Sequence, residues 1–277
     1  MKIAITGASG FIGTHLREKF KDHVVIQRDD SISSIVEKLS GVDVVINLAG
    51  APIIRRWTPS YMQVLRTSRI ETTRKLVAAI EKSGVRQFIS ASAIGIYPDD
   101  MECDESCETV GRDFLASLCL EWEREALVCS RPVTVMRLGV ILGRDGGALA
   151  KMIKPFRLCL GGPIGDGSMV TSWLHISDLV RIYEFVIERR ISGTINAVAP
   201  NPVTNYELSR ELSRIFRCPF MLPVPVLVLK ILYGKASVVL TGSKCVYPRR
   251  LLEHGFVFKF PRLPEALLDL LKAPPRH

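Results

Sequence analysis

No run of apolar residues in this 277-residue sequence is long enough to cross a lipid bilayer. The longest, residues 220–233, is interrupted by two prolines and a lysine, whereas a spanning helix needs about 20 consecutive apolar residues. The chain runs from Met1 almost directly into a glycine motif, which leaves no room for a signal or transit peptide. We therefore expect a cytoplasmic protein without a membrane anchor.

Residues that bind metals are scarce and poorly spaced. The chain has five histidines and seven cysteines, and no two cysteines form a Cys-x-x-Cys pair. No metal site is expected from this pattern. The odd number of cysteines also favours a reducing compartment, because disulfide frameworks use paired cysteines.

The composition excludes a disordered or fibrous chain and gives little support to nucleic-acid binding. Hydrophobic residues make up 47% and charged residues 23%, enough for one large domain or two closely joined ones. The net charge is +9, and residues 205–277 hold 12 basic and 5 acidic side chains. Because these basic residues are scattered singly, a solvated face is favoured over a nucleic-acid patch. Residues 99–108 hold six carboxylates and no basic residue, which we interpret as a solvated loop.

Short β-branched segments alternate with helical patterns over the first two thirds of the chain. The predicted strands are residues 2–6, 23–27, 42–48, 87–91 and 134–138, and the helices predicted between them are residues 11–21, 60–83 and 112–129. Strands that are apolar throughout suit a sheet buried on both faces. The alternation predicts an α/β fold with a Rossmann-type, doubly wound parallel sheet. Later in the chain, a helix is predicted to start at Ser177, followed by a strand at 194–199 and a helix at 205–216.

A glycine motif, Gly-Ala-Ser-Gly-Phe-Ile-Gly at residues 7–13, follows the first predicted strand and opens the first predicted helix. Gly7 permits the turn off the strand, Gly10 lets the backbone approach a pyrophosphate, and Gly13 lets the helix pack on the sheet. The helix N-terminus supplies free N–H groups to phosphates. The predicted cofactor contacts here are Gly7, Ser9, Gly10, Phe11, Ile12 and Gly13. The alternative is a tight turn that binds no ligand.

The spacing Gly-x-x-Gly-x-x-Gly resembles that of the extended branch of the short-chain dehydrogenase/reductase superfamily. Further motifs resemble one atypical subfamily, the epimerase-family group of the 39U type that is sometimes labelled a cell-division inhibitor. They are residues 43–50, Arg55-Arg56-Trp57, Ser68 and Arg69 with Thr73, residues 113–115 with Trp122-Glu123, residues 137–143 and residues 160–165. The resemblance covers essentially the whole chain, including a distinctive C-terminal segment at about 222–271.

This resemblance implies a division into two lobes. Residues 1–150 are expected to form an NADP-binding Rossmann domain that also includes residues from about 175 to 200. Residues 151–174 and 201–277 are expected to form a smaller substrate-binding lobe. Substrate is expected to lie between the lobes, in a cleft lined by the loop 161–167 and by residues 172–175.

The end of the second predicted strand indicates which nicotinamide nucleotide is preferred. It reads Gln27-Arg28, and the planar guanidinium of Arg28 suits a 2′-phosphate that Gln27 has no charge to repel. NADP(H) is therefore the expected cofactor. Asp29 and Asp30 follow and leave open the alternative of an acid on the ribose hydroxyls, as in NAD enzymes. The resemblance implies seven further cofactor contacts: Leu48, Ala49, Gly50, Arg69, Ser90, Leu138 and Gly139.

The usual catalytic pattern of the superfamily is incomplete. Typical members use a serine with a Tyr-x-x-x-Lys pair, and Ser92 stands where the serine is expected. The register of the pair reads Phe114 and Leu118, which carry neither phenol nor amine. Tyr97 is the nearest phenol, so Ser92 and Tyr97 are the predicted catalytic residues; alternatively, Tyr97 only packs over the cofactor. His175 is more simply explained by a structural hydrogen bond.

The expected function is that of an NADP(H)-dependent oxidoreductase acting on an unknown small carbonyl or hydroxyl compound. The alternative is an NADPH-binding sensor or interaction protein with little or no catalysis. The missing tyrosine and lysine argue against a typical nucleotide-sugar epimerase or dehydratase. The expected partner is a small-molecule substrate, without nucleic acid or membrane, and the protein is expected to be a monomer or homodimer.

Overall fold

Residues 1–272 are described by a computed structural model. The strands are β1 (Ile3–Thr6), β2 (His23–Ile26), β3 (Val44–Asn47), β4 (Gln87–Ala93), β5 (Glu102–Cys103), β6 (Val133–Leu138), β7 (Val140–Leu142), β8 (Val170–Thr171), β9 (Trp173–His175), β10 (Gly193–Ala197), β11 (Val203–Thr204) and β12 (Cys245–Val246). The helices are α1 (Phe11–Lys19), α2 (Ile32–Lys38), α3 (Pro59–Ile80), α4 (Phe114–Leu127), α5 (Leu149–Arg157), α6 (Ile176–Glu188), α7 (Asn205–Phe216), α8 (Val226–Tyr233), α9 (Val238–Thr241), α10 (Arg249–Glu253) and α11 (Leu263–Lys272).

The central sheet has six strands in the order β10-β6-β4-β3-β1-β2, and neighbouring strands run parallel. Helices cover both faces. Leu16 of α1 and Leu179 of α6 belong to the core on one face, and Leu76 of α3 and Ala126 of α4 belong to the core on the other. The predicted α/β fold with a Rossmann-type, doubly wound parallel sheet is confirmed.

The strand order reverses next to β1. The chain places β2 on one side of β1 and then returns to place β3 on the other side. In open α/β sheets such a reversal leaves a crevice outside the carboxyl ends of the two strands, and ligands bind there. Gly7 directly follows β1 and Leu48 directly follows β3, so both predicted cofactor segments meet at this switch point.

The predicted strands match the strands of the central sheet closely, whereas several helices and short strands were not predicted. The predicted helix at 205–216 has the observed bounds of α7, and its capping box of Thr204 and Glu207 explains the sharp start. The short helix α2, which begins after the N-cap Ser31, was not predicted. Nor was α5, which contains Pro155. In these two segments, length and an internal proline weaken the helical pattern.

The acidic stretch at 99–108 is not the solvated loop expected from its charge. It pairs with the basic C-terminal segment: Asp99 lies 3.0 Å from Lys244, and Asp104 lies 3.6 Å from Arg249. Glu105 accepts backbone N–H groups from Asn196 and Arg250 at 2.8 and 3.2 Å. Strand β5 also pairs with β12. Opposite charges therefore attach the C-terminal segment to the nucleotide half.

Two cysteines that are distant in sequence form a disulfide. Cys159 follows α5 and Cys218 follows α7, with their Cα atoms 5.1 Å apart, which is within the range that a disulfide bridges. A pair 59 positions apart leaves no local pattern in the sequence, because only folding brings the two cysteines together. The cytoplasmic location stays a prediction.

Residues 172–175 do not line an open cleft as expected. Ser172, Trp173, Leu174 and His175 are all buried, because β9 pairs with β7 inside the core. His175 caps α6 by accepting the backbone N–H of Ser177 at 3.0 Å. Burial lowers its pKa to about 4, so it is neutral at pH 7 and serves a structural role. The exact division into two lobes stays a prediction.

Within residues 1–272, no helix combines the length and the apolar character of a bilayer span. In the same part of the chain, no cluster of histidine, cysteine, aspartate and glutamate is arranged to hold a metal ion.

Candidate functional site

The glycine motif forms a tight turn at the carboxyl end of β1. Gly7 has a φ of +64°, and a Cβ there would lie 2.8 Å from the carbonyl oxygen of Leu48. A Cβ on Gly13 would lie 2.3 Å from the carbonyl oxygen of Gly7. These two glycines are therefore required by the approach of three backbone segments. They bring the start of α1 against the ends of β1 and β3.

Gly10 differs from the other two glycines because it faces open space. The nearest atom to a Cβ placed there is the carbonyl oxygen of Gly7, at 3.2 Å, and no other lies within 4 Å. Gly10 is the N-cap of α1 and supplies no side chain to cap the helix. Ser9 and Gly10 are exposed. The first N–H groups of α1 thus face an accessible surface, which is the arrangement that binds phosphate at helix N-termini.

Phe11 and Ile12 act at this turn through their backbone, because the side chain of Phe11 packs elsewhere. Its ring fills the space beside three glycines that follow β7, and a Cβ on Gly143 would lie 2.3 Å from it. The ring also contacts His15 edge to face, with centroids 5.1 Å apart. The loop after β7 is therefore fixed beside the N-terminus of α1.

A buried polar network holds the ends of β1 and β3 together. The Thr6 hydroxyl donates to Asn47 Oδ1 at 2.7 Å and accepts the backbone N–H groups of Leu48 and Ala49 at 3.1 and 3.2 Å. Asn47 Nδ2 donates to Thr73 of α3 at 2.9 Å. Thr6 was not predicted to have a role. Its position directly before Gly7 was the available signal.

Arg69 lies behind the turn that follows β3. Its guanidinium donates to the carbonyl oxygens of Ala51 and Leu65 at 3.1 and 3.3 Å, and a Cβ on Gly50 would lie 2.9 Å from its Cζ. Burial lowers its pKa below the ordinary value for an arginine. Within residues 1–272 it has no carboxylate partner at ion-pair distance. A positive charge thus remains beside Gly50.

The end of β2 leaves Arg28 available and engages Asp30. Asp30 accepts the backbone N–H of Gln27 at 2.7 Å and pairs with Lys38 at 2.5 Å. Burial alone would raise the pKa of Asp30, but these hydrogen bonds lower it. Gln27, Arg28 and Asp29 are exposed. Asp30 is therefore engaged within this turn, whereas Asp29, the other acid of the NAD alternative, is exposed.

The remaining predicted contacts lie in the middle of β4 and at the end of β6. Ser90 is buried and its Oγ accepts from Asn47 Nδ2 at 3.4 Å, so it supports the polar network below the crevice. Leu138 ends β6 and is partly buried. The N–H of Gly139 donates to Ala197 at 3.1 Å, and a Cβ there would lie 2.6 Å from the carbonyl oxygen of Ser172. The β6 end is fixed by its backbone neighbours.

Ser92 and Tyr97 belong to one buried chain of hydrogen bonds. Ser92 donates to Glu123 at 2.6 Å, and Glu123 forms a two-point ion pair with Arg137 at 2.9 and 2.8 Å. Arg137 donates to the Tyr97 hydroxyl at 2.8 Å, and that hydroxyl donates to Asn196 at 2.9 Å. Glu123 and Arg137 were not predicted to have a role, although both lie in motifs that carry the family resemblance.

The Tyr97 phenol is enclosed and stays protonated at neutral pH. Its side chain is only 1% exposed, and burial raises its pKa to about 12 against the opposing effect of Arg137. Lys244 lies close, yet its Nζ donates to the backbone carbonyl of Tyr97 at 2.6 Å and not to the phenol. The catalytic assignments of Ser92 and Tyr97 stay predictions.

The register of the missing Tyr-x-x-x-Lys pair is apolar in the structure as well. Phe114 contacts Trp57 edge to face, with ring centroids 5.2 Å apart. Leu118 is buried in the same cluster, which also includes Leu65 and Ala236. Neither position can exchange a proton with a ligand.

Comparison with known proteins assigns two families along the chain. Residues 3–198 match the NAD dependent epimerase/dehydratase family, and residues 224–270 match a domain of unknown function, DUF1731. The chain is 38% identical to the chloroplastic SDR39U1 homolog, an epimerase family protein of Arabidopsis thaliana, covering 98% of this chain and 87% of that protein. It is 34% identical to the Mus musculus epimerase family protein SDR39U1, covering 98% and 100%.

The crystal structure of human epimerase family protein SDR39U1 (isoform 2) with NADPH is similar over nearly the full length. The TM-score is 0.90 at 32% sequence identity, and the match covers 98% of this chain and 99% of that one. The two folds therefore agree from the glycine turn to the C-terminal segment.

Proposed function

The chain belongs to the NAD dependent epimerase/dehydratase family, and from that membership we propose that it binds NADP(H) and acts as an oxidoreductase on a small carbonyl or hydroxyl compound. The observation that carries the proposal is the crevice between β1 and β3, where an uncapped helix N-terminus and the exposed Gly10 face open space. A human relative of the same fold was crystallised with NADPH.

The residues around this crevice fit a dinucleotide. The N–H groups at the start of α1 suit the pyrophosphate, and the absence of a side chain on Gly10 leaves room for it. The charge of Arg69 beside Gly50 adds positive potential to the same edge. Arg28 is exposed at the end of β2, where it suits a 2′-phosphate. Because Asp30 is engaged by Lys38, the geometry favours NADP(H) over NAD(H).

The chain's own residues would orient the substrate and handle its proton, whereas a bound nicotinamide supplies or accepts a hydride. Tyr97 is protonated at neutral pH, as an acid must be to give a proton to a developing alkoxide. For that step its hydroxyl would have to exchange its bond to Asn196 for one to substrate. Ser92 would orient the substrate oxygen.

The buried network also favours a second candidate, an NADPH-binding protein with little catalysis. Ser92 and Tyr97 already have partners within the network, at 2.6 to 2.9 Å. Their arrangement serves the fold without any substrate. A sensor or interaction protein needs only the nucleotide site.

Binding at the crevice is tested by Gly10→Val. The backbone at Gly10 has a φ of −74°, which valine adopts, so the variant should fold while its side chain occupies the pyrophosphate's place. Fluorescence titration should show that NADPH affinity falls by at least about a hundredfold, equivalent to about 2.7 kcal/mol. Gly84→Val is the matched control, because a Cβ at Gly84 meets nothing within 4 Å. Unchanged NADPH binding in a folded Gly10→Val protein would place the nucleotide elsewhere.

Catalysis is tested by a screen of carbonyl compounds and nucleotide sugars, followed by NADPH absorbance and product analysis. For a substrate that reacts, Tyr97→Phe should abolish turnover while NADPH affinity stays the same, and Ser92→Ala should slow it less. Turnover that survives Tyr97→Phe would exclude this phenol as the acid. If the protein binds NADPH but turns over no compound in the panel, the second candidate would be favoured.

A further inference from the structure

The motif Arg55-Arg56-Trp57 has no part in the nucleotide site described above. It lies on the loop between β3 and α3, beside a cavity of about 340 Å³. The cavity is lined by Arg55, Arg56, Thr58, Ser60, Tyr61 and Val64. At the lower end of the size range of ligand pockets, it suits a small molecule or one end of a larger one.

Both arginines are exposed and lack a carboxylate partner at ion-pair distance within residues 1–272. The Arg55 guanidinium lies over the ring of Tyr61, 4.8 Å from its centroid. The side chain of Arg56 approaches Gly234 of the C-terminal segment, where a Cβ would lie 3.7 Å from its Cγ. Each side chain is thus positioned by a neighbour that leaves its charge unneutralised.

Other arginines near this cavity behave differently. On α3, Arg66 pairs with Glu121, and Arg74 pairs with Glu125 at 2.5 Å. Residues 44–70 contain four arginines and no aspartate or glutamate, so an arginine here can find a carboxylate only on another element. Arg66 and Arg74 reach carboxylates on α4, whereas the loop at Arg55 and Arg56 has none opposite it. Paired arginines stabilise the helices, and the unpaired ones are left to bind another anion.

The cavity neighbours the place where the family's tyrosine would meet substrate. Trp57, directly after the two arginines, packs on Phe114, which occupies the tyrosine's position. The indole of Trp57 donates to the carbonyl oxygen of Ile53 at 3.0 Å, which fixes the loop that carries Arg55 and Arg56. The same loop follows Gly50 at the edge of the nucleotide crevice. The loop with the two guanidinium groups is therefore joined directly to the segment that follows β3 and packs beside the position of the family's tyrosine.

We propose that Arg55 and Arg56 bind a carboxylate or phosphate group of the substrate. A guanidinium presents planar, paired N–H donors that match both anions, and it keeps its charge at any physiological pH. The inference rests on the proposed function for the neighbouring NADP(H), and it narrows the substrate class to small anionic carbonyl or hydroxyl compounds. The cofactor's own pyrophosphate carries the same chemistry, so the test separates these two sources.

The test measures anion binding and NADPH binding separately. Inorganic phosphate and malonate are titrated, at constant ionic strength, into wild type and into Arg55→Gln/Arg56→Gln, with and without saturating NADPH. Tryptophan fluorescence is the readout, since Trp57 lies next to the arginines. Arg190→Gln is the matched control, because Arg190 is exposed and precedes β10 at the opposite edge of the sheet.

We expect wild type and the control to bind anions with NADPH present, and the double variant to lose at least about tenfold in affinity, as for a lost charged hydrogen bond. NADPH affinity should stay within about twofold. Anion affinities equal in wild type and double variant, or no anion binding, would overturn the proposal. The proposal would also be overturned if the double variant bound NADPH more weakly and phosphate competed with NADPH. Those two results together would assign the arginines to the cofactor's pyrophosphate. Failure of NADPH to bind wild type would refute the proposed function alone, since the titrations without NADPH still report on the arginines.

Discussion

Replacing Glu123 by glutamine should cost the folded protein about 3–5 kcal/mol, the usual effect of breaking a buried ion pair. The Glu123 and Arg137 side chains are 6% and 13% exposed, and two hydrogen bonds of 2.9 and 2.8 Å join them. Glutamine keeps the shape of the side chain but removes its charge. Arg137 would then remain buried without a counter-ion, and Ser92 would lose a charged acceptor.

The same helix provides a matched control. Glu125, two residues later on α4, pairs with Arg74 at 2.5 Å, but the Arg74 side chain is 62% exposed. An exposed pair of this kind contributes little to stability, because water screens the charges. Glu125→Gln makes the same chemical replacement on the same helix. The difference between the two variants in the free energy of unfolding therefore isolates the effect of burial.

Urea-induced unfolding at neutral pH, followed by circular dichroism, measures both variants. The double variant Glu123→Gln/Arg137→Met adds a further arm, because removing both charges should recover most of the loss. Equal, small losses for Glu123→Gln and Glu125→Gln would refute the reasoning, since they would show that the Arg137 charge is solvated. No recovery in the double variant would contradict the uncompensated charge as the cause.

Two further predictions concern the rest of the chain. Because burial holds the pKa of His175 near 4, below its ordinary 6.5, the unfolded chain takes up a proton first, and stability is lost as the pH falls from about 6.5 to 4. The free-energy difference between wild type and His175→Asn, which keeps an acceptor for the N–H of Ser177, should shrink by about 3 kcal/mol over that range. Asp178, Lys259 and Asp269 lie around position 175 in both proteins. A constant difference would contradict the assignment. In the oxidised protein, Cys159→Ser should lower the free energy of unfolding by about 3–5 kcal/mol, whereas under a reducing agent the two proteins should unfold alike; equal stability under oxidising conditions would show that the disulfide does not form.

The sequence was enough to predict the central sheet and the glycine turn, because both depend on local patterns. Apolar strands alternate with helices, and the glycines at positions 7, 10 and 13 each meet the requirement that their spacing indicated. Where structure depends on distant partners, the patterns were not informative. The acidic stretch at 99–108 was taken for a solvated loop because the bases that pair with it lie about 140 residues later in the chain.

The same limit applies to the site. Ser92 and Tyr97 were selected as hydroxyl groups after a strand, and both selections depend on proximity in sequence. Whether such a group faces a ligand depends on its surroundings, here Glu123, Arg137 and Asn196 from three other elements. The geometry of the glycine turn was easier to predict because backbone geometry near a glycine is a local property.

We propose that NADP(H) binds at the β1–β3 switch point with its 2′-phosphate on Arg28. Titrating NADPH and NADH into wild type, Arg28→Gln and the control Arg190→Gln tests it most directly. A charged hydrogen bond contributes about 1.5–3 kcal/mol, so Arg28→Gln should weaken NADPH by about 10- to 100-fold while NADH affinity and the control stay unchanged. Equal affinities of the wild type for NADPH and NADH would contradict this assignment. A preference for NADPH that survives Arg28→Gln would contradict it as well.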